Sequence, residues 1–167
     1  MSVYCVPRSD EEILTDVSGS KNIIVIACPS CANIGYHLHR KENGPFIRIT
    51  LKGIQAQGCK KESQRLADVL GRNGKNVEQC LLNYPNAVCM LNEKRRKQIQ
   101  KKGKGKDTVI SMCCESGQMN LADILPKHKV IGGMNAKGIL RGTIQKGFGK
   151  FFIDHDSVEV IDFKLNQ

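Results

Sequence analysis

The sequence predicts an α/β protein with a Rossmann-like, three-layer arrangement around a mainly parallel sheet and a C-terminal β-hairpin. Apolar runs rich in β-branched residues alternate with amphipathic segments between residues 22 and 135, as in parallel strands joined by right-handed helical crossovers. The composition agrees, because 40% of the 167 residues are hydrophobic, 25% are charged and only 5% are aromatic. Such values are typical of compact globular domains rather than disordered or membrane-embedded chains.

The elements can be assigned in order from residue 22. The first strand is NIIVIAC, residues 22–28, whose continuous apolar run indicates burial on both faces. A helix is expected from about Ser30 to Arg40, ended by ENGP. FIRITL, residues 46–51, alternates as a second strand, and Lys60–Arg72 forms an amphipathic helix. These four elements predict the first half of the alternating unit.

The second half is less regular at its start. The segment NVEQCLLNYPNAVCMLNEKRRKQIQKK, residues 76–102, is predicted as two helical pieces broken at Pro85. DTVISMC (107–113) is the third strand, SGQMNLADIL (116–125) a helix, and KVIGGMN (129–135) the fourth strand. KFFIDHDSVEVIDFKL alternates apolar and polar residues around DHDS, which predicts a terminal hairpin.

A chain of this length suits one domain. We expect a lead-in with one short helical stretch (1–21), an α/β core that binds metal (22–141) and a hairpin extension (142–167). No segment has the roughly 18 apolar residues of a spanning helix, and the early SDEEILTD does not resemble a signal peptide. We therefore expect a cytoplasmic protein without a membrane span.

Five of the eight cysteines fall where predicted strands end. Cys28 ends the first strand and Cys31 follows three residues later; Cys59 lies in the loop after the second strand; Cys113 and Cys114 end the third. Because the carboxyl ends of parallel strands share one edge of the sheet, these thiols should converge. In a reducing compartment, clustered cysteines more often bind metal or perform redox chemistry than form disulfides.

Converging thiolates predict a metal centre. Cys28 and Cys31 can chelate one ion, and Cys59 with one of Cys113 and Cys114 would complete four sulfur ligands. Four thiolates suit Zn²⁺ and an iron–sulfur cluster equally.

Other residues are weaker candidates. If only three cysteines bind, His37, His39 or Glu115 could fill the fourth position. The two histidines are two residues apart on a predicted helix, so they point in different directions. The remaining cysteines have no partner at ligand spacing and are expected to be core or surface thiols: Cys5, Cys80 and Cys89.

Two other interpretations of CPSC, residues 28–31, stay open. A CxxC between a strand and a helix is where thioredoxin-like proteins carry their redox pair, with Cys28 attacking and Cys31 resolving. That interpretation gives Cys59 and Cys113 no role. Alternatively, the thiols simply pack, since cysteine is among the most buried residue types.

The segment CCESGQ suggests a second kind of site. Ser116, Gly117 and Gln118 open a helix after a strand, where free backbone N–H groups can bind an anion or the sulfides of a cluster. The alternative is an ordinary strand-to-helix turn with Ser116 as the N-cap.

The positive charge is local. The run from Lys94 to Lys106, KRRKQIQKKGKGK, holds eight of the 26 Lys and Arg residues and no acidic residue, against a formal net charge of +10. It has no aromatic residue on which a base could stack, so a nucleic-acid partner is not expected. It is either a solvated helix end and loop or a docking surface for an acidic protein or a cofactor phosphate.

Three segments carry a family resemblance: the strand ending in CxxC, CKKESQRLADVL, and TVISMCCESGQMNLADILPKHKVIGGMNAKGIL. Together they resemble the C-terminal zinc-containing domain family associated with methylenetetrahydrofolate reductase. The resemblance spans about Asn22 to Arg141 and implies a Rossmann-like fold. It also implies a metal set of Cys28, Cys31, Cys59 and one of Cys113 and Cys114.

The same resemblance implies a role in one-carbon redox metabolism. The chain would be an accessory subunit of an oxidoreductase, with a flavin-dependent reductase or a corrinoid protein as partner. The sequence has no nucleophile–His–acid arrangement, P-loop or GxGxxG ahead of a helix, which favours an accessory role over catalysis by this chain alone. Family members often continue into a cysteine-rich tail, but residues 142–167 contain no cysteine.

Overall fold

The computed structural model describes residues 2–51 and 53–163, which form a mixed α/β fold with three sheets. The strands are β1 (Ser2–Pro7), β2 (Asn22–Ala27), β3 (Ile47–Thr50), β4 (Gly53–Ala56), β5 (Asn76–Leu81), β6 (Thr108–Met112), β7 (Lys129–Gly132), β8 (Met134–Arg141), β9 (Ile144–Gly147), β10 (Lys150–Ile153) and β11 (Glu159–Asp162). The α-helices are α1 (Asp10–Asp16), α2 (Cys31–His39), α3 (Gln57–Arg72), α4 (Glu93–Gly103) and α5 (Glu115–Ile124). Two short 3₁₀ turns cover Val88–Met90 and His155–Ser157.

The central sheet has four parallel strands in the order β5-β2-β6-β7. Every residue of Ile23–Ala27 and Thr108–Met112 is buried, as expected of strands covered on both faces. These are the first and third strands that the sequence predicts, and both are confirmed. The fourth is confirmed over Lys129–Gly132, which pairs with β6.

Helices connect and cover this sheet. α3 packs against β5 and β2, α5 packs against β6 and β7, and α4 packs against α5. Leu66 and Leu70, four residues apart on α3, are fully buried, which confirms the predicted amphipathic face. Within residues 2–51 and 53–163, none of the helices has the length and apolar content that crossing a bilayer requires.

The second predicted strand does not join the parallel sheet. β3 pairs antiparallel with β4 and β10, in a separate sheet of order β4-β3-β10-β9. Three of its four residues, Arg48, Ile49 and Thr50, are exposed. A strand with one solvated face suits an antiparallel sheet and not the interior of a parallel one.

The helix predicted at the start of residues 76–102 is wrong, because Asn76–Leu81 is strand β5 at the edge of the central sheet. Its polar residues are tolerated there: Glu78 pairs with Lys102 and Lys106, and Gln79 accepts a hydrogen bond from Ser63. Edge position and tertiary partners override local propensity. The second helical piece is confirmed as α4.

The hairpin predicted around DHDS is also wrong. His155–Ser157 is a 3₁₀ turn, and the strands on its two sides belong to different sheets, because β10 pairs with β3 and β9 while β11 pairs with β8. A hairpin does form earlier in the chain, between β9 and β10, where Gly149 lies in the turn with φ 61°. Alternation marks a strand but not its partner. Residues 164 and 165 of the predicted hairpin lie outside the described residues.

The lead-in contains the expected short helix, α1, which begins with a capping box between Ser9 and Glu12. It also contains β1, which the sequence pattern did not indicate and which pairs antiparallel with β8. The third sheet has the order β1-β8-β11. The lead-in and the C-terminal extension are therefore both hydrogen-bonded to the core segment.

Candidate functional site

Cysteines follow two neighbouring strands of the central sheet. Cys28 comes directly after β2 and Cys113 directly after β6, and the Cys28 N–H donates to the carbonyl of Met112 at 3.0 Å. The chain leaves β2 towards β5 but leaves β6 towards β7, in the opposite direction. The edge between these two strands is thus a topological switch point, where open α/β sheets bind their ligands.

Four thiols contact one another there in two pairs. A hydrogen bond with Cys113 holds the pKa of Cys28 below its usual range, and the Cys113 thiol also donates to the Ile26 carbonyl at 3.9 Å. A hydrogen bond with Cys114 likewise lowers the pKa of Cys31. Burial, and then the bond to Cys28, raises the pKa of Cys113. The bond to Cys31, and then burial, raises the pKa of Cys114. Each pair therefore favours one thiolate and one thiol.

Backbone amides also point at these sulfurs. The donors are the N–H groups of Val88 and Ser30 to Cys28, of Val3 to Cys31, and of Gly117 to Cys114. Hydrogen bonds of this kind hold thiolates in place and tune the metals that thiolates bind.

The strongest influences on the four thiols do not include a positive charge. The largest influences on the pKa values of the four cysteines come from other thiols, hydroxyls, backbone amides and burial, and none comes from a Lys or Arg. Several thiolates here would place buried negative charges side by side, which is costly. A bound cation would remove that cost.

Two further thiols flank the pairs. Cys59, expected in a loop, lies in the first turn of α3, where its thiol donates to the Ala56 carbonyl at 3.8 Å and burial raises its pKa to about 12. Cys5, on β1, is fully buried near Cys28 and Cys31, and burial raises its pKa to about 12. Cys5 was expected to be an ordinary thiol; nothing in the sequence could place it here because β1 itself was not predicted.

The geometry of a single-ion site is not preformed. Among residues 2–51 and 53–163, no group of three or more His, Cys, Asp or Glu side chains is positioned to hold one metal ion. The described thiols occur as two contacting pairs instead of four sulfurs around one point.

The other predicted ligands have different partners. His37 is buried against Phe46 and stacks on His155, with ring centroids 6.1 and 5.9 Å away, whereas His39 is exposed. Their opposite environments confirm that the two point in different directions. Glu115 accepts a hydrogen bond from the Ala136 N–H at 3.1 Å.

CCESGQ forms the junction between β6 and α5. Its N-cap is Cys114 and not Ser116, which is exposed in the first turn. Gly117 is buried, and a Cβ at this position would lie 2.7 Å from the Cys113 Cβ. The Gln118 N–H donates to the Cys114 carbonyl. Of the three residues predicted to bind a cofactor, only Gly117 contacts a thiol through its backbone.

Tyr84 is a neighbour of the site that sequence reasoning missed. Burial raises the pKa of its phenol, and Ser30 and the charges of Cys28, Cys31 and Cys59 also act on it. It lies after β5, in a stretch predicted as helix, so no pattern linked it to the cysteines.

Comparison of the chain with protein-family models, with curated proteins and with solved structures finds no match. The methylenetetrahydrofolate reductase resemblance therefore rests on the quoted segments alone.

Proposed function

We propose that this protein binds a thiolate-ligated metal centre through Cys28, Cys31, Cys113 and Cys114. The observation that carries the proposal is that four thiols, which follow two adjacent strands of the central sheet, contact one another in two pairs. The family resemblance implies Cys59 as a ligand, but the Cys59 thiol contacts the Ala56 carbonyl. The proposed ligand set therefore omits Cys59 and contains both Cys113 and Cys114.

An iron–sulfur cluster fits the pairs better than zinc does. A single Zn²⁺ needs four ligands around one point, and the described residues contain no such group. A two-iron cluster takes two cysteines for each iron, which matches Cys28 with Cys113 and Cys31 with Cys114. When bound, such a cluster supplies one-electron transfer, while the chain orients the sulfurs and donates N–H···S hydrogen bonds.

The protein would act as an accessory subunit of an oxidoreductase in one-carbon redox metabolism. The resemblance over Asn22 to Arg141 supports this role, as does the lack of a nucleophile–base pair in the sequence. A flavin-dependent reductase or a corrinoid protein would be the partner, and the cytoplasm the compartment. Right-handed crossovers would place α3 and α4 on opposite faces of the sheet, in a Rossmann-like three-layer arrangement.

The test is iron, sulfide and zinc analysis of protein purified without oxygen. We expect about two irons and two sulfides per chain, with a coloured absorption spectrum. The Cys31→Ser, Cys114→Ser double variant should lose this content. Cys80→Ser is the matched control, because Cys80 is buried on β5 and the charges that act on its pKa are those of Lys102, Glu78 and Arg95, not those of the paired thiols. Equal metal content in both variants, or none in the parent after reconstitution, would contradict the proposal.

Thiol–disulfide exchange is the second candidate, favoured by Cys31. This residue begins α2 and is half-buried, whereas Cys28, the expected attacking thiol, is only 4% exposed. The Cys31 thiolate would attack a substrate disulfide and form a mixed disulfide, and the other substrate sulfur would leave as a thiolate. Cys28 or Cys114 would then displace the second sulfur and close an internal disulfide.

Insulin reduction by metal-free protein with dithiothreitol tests this candidate. Activity should be lost in Cys31→Ser and kept in Cys89→Ser, because Cys89 is the exposed thiol outside the pairs. No activity in the metal-free parent removes the candidate.

A further inference from the structure

A groove of about 650 Å³ runs along the edge of the central sheet, between β5 and α4. Its floor is formed by Cys80, Leu81 and Leu82, and Leu81 is 37% exposed. Its rim is basic. The groove therefore combines an apolar floor with a charged rim.

The rim has more positive charge than the chain neutralises. Five cations line the groove with a single acid: Arg95, Lys101, Lys102, Lys104 and Lys106 with Glu78. Glu78 pairs with Lys102 at 3.2 Å and with Lys106 at 3.0 Å. The other three cations have no acidic partner in the part of the chain that the structure describes.

The groove borders an open strand edge. Among the described strands, β5 pairs only with β2. The N–H groups of Asn76 and Leu82 donate to Lys21 and Ala27, on the β2 side. Since backbone groups alternate along a strand, those of Val77, Gln79 and Leu81 point away from β2. Such an edge accepts an added strand.

We propose that this groove and the β5 edge bind an extended acidic segment of a partner protein, which adds to the sheet beside β5. Alternate side chains of that segment would cover the apolar floor, while carboxylates pair with Arg95, Lys101 and Lys104. Charge complementarity argues for this occupant. A nucleic acid is disfavoured, because none of the described residues lining the groove is aromatic.

The position of the groove divides the basic run into two sets. Lys101 and Lys104 line the groove, whereas Lys94 and Lys97, also exposed, do not. A solvated helix end would not distinguish the two sets, but the proposed site does.

The first experiment uses a fluorescent peptide of about ten residues with alternating Glu and Val. Anisotropy should show binding that weakens with added salt. The Lys101→Gln, Lys104→Gln variant should bind roughly tenfold more weakly, and the Lys94→Gln, Lys97→Gln control less than about twofold more weakly. Equal losses in the two variants would overturn the site, as would tighter binding of a single-stranded RNA of similar length.

A second measurement tests strand addition itself. The peptide should slow hydrogen exchange at the amides of Val77 and Gln79, and Leu81→Pro, which removes an outward N–H, should weaken binding. Binding without that protection would overturn the added strand. The metal content of all these variants should stay that of the parent, so this proposal can fail independently of the proposed function.

Discussion

Gly117 sits where α5 packs onto the thiols and leaves no space for a side chain. A Cβ would lie 2.7 Å from the Cys113 Cβ and 3.4 Å from both the Cys113 Sγ and the Val88 Cβ. Gly117→Ala should therefore lower the free energy of unfolding by about 1 to 3 kcal/mol, as overpacking usually does. Urea unfolding monitored by circular dichroism measures the change.

Gly71→Ala is the matched control, because Gly71 is also helical and a Cβ there meets nothing within 4 Å. That variant should be neutral or more stable by up to about 1 kcal/mol, since alanine favours a helix over glycine. Equal effects of the two substitutions would show that the thiol site has room to relax around Gly117.

At the scale of elements, Arg65 joins α3 to α1. Its guanidinium makes two hydrogen bonds of 2.8 Å to Asp10 and two, of 3.0 and 2.7 Å, to Glu62, whose side chain is only 2% exposed. Arg65→Met should cost about 2 to 3 kcal/mol of unfolding free energy, because the buried Glu62 carboxylate loses its nearest partner and keeps only Arg40, at 3.9 Å. Arg72→Met is the control, since Arg72 is exposed at the end of the same helix. Similar unfolding midpoints for the two variants would contradict this role.

The contact between Arg65 and Asp10 also predicts that the free energy of unfolding depends on pH. The hydrogen bond from Arg65 lowers the pKa of Asp10 below its ordinary value, so folding is stabilised when Asp10 is ionised. This contribution is complete above the unfolded pKa of about 4 and is lost as the pH falls through the lower folded value. The stability difference between the parent and Asp10→Asn should shrink on acidification. A difference that is constant with pH, measured by urea titration, would show that Asp10 gains nothing from its charge.

Elements differ in how far the sequence could predict them. The strands β2 and β6 were predictable because burial on both faces requires an unbroken apolar run. β5 was not, since as an edge strand it carries Glu78 and Gln79, whose partners on α3, α4 and the following loop come from elsewhere in the chain. β3 and β11 alternate as strands should, but alternation contains no information about the partner strand.

The residues of the site likewise divide into those that the sequence could predict and those that it could not. Convergence of Cys28, Cys31, Cys113 and Cys114 was predictable, because each lies next to the end of a parallel strand. Cys5 was not, because it reaches the site through β1, whose pairing with β8 joins segments more than 100 residues apart. The amides that donate to sulfur are equally invisible in the sequence, since every residue type except proline has one.

At the scale of the whole molecule, the first strand completes the site that the core begins. α2 packs directly on the β1 backbone, since a Cβ at Gly35 would lie 2.0 Å from the Cys5 carbonyl oxygen. Val3 donates its N–H to the Cys31 sulfur, and Arg8 bonds the Gly132 carbonyl at 2.9 Å. β11, on the opposite edge of the same sheet, has four exposed residues.

A chain that begins at Arg8 should therefore have a lower free energy of unfolding, because it lacks the fully buried Cys5 and the five half-buried residues of β1. Its Cys28 and Cys31 should react with Ellman's reagent much faster than in the parent, in which Cys89 is the exposed thiol. A chain that ends at Val158 lacks β11, whose four residues are exposed, and should keep the parent's thiol kinetics. If both truncations leave Cys28 and Cys31 equally protected, the thiol pairs depend on the central sheet alone and β1 is not part of the site.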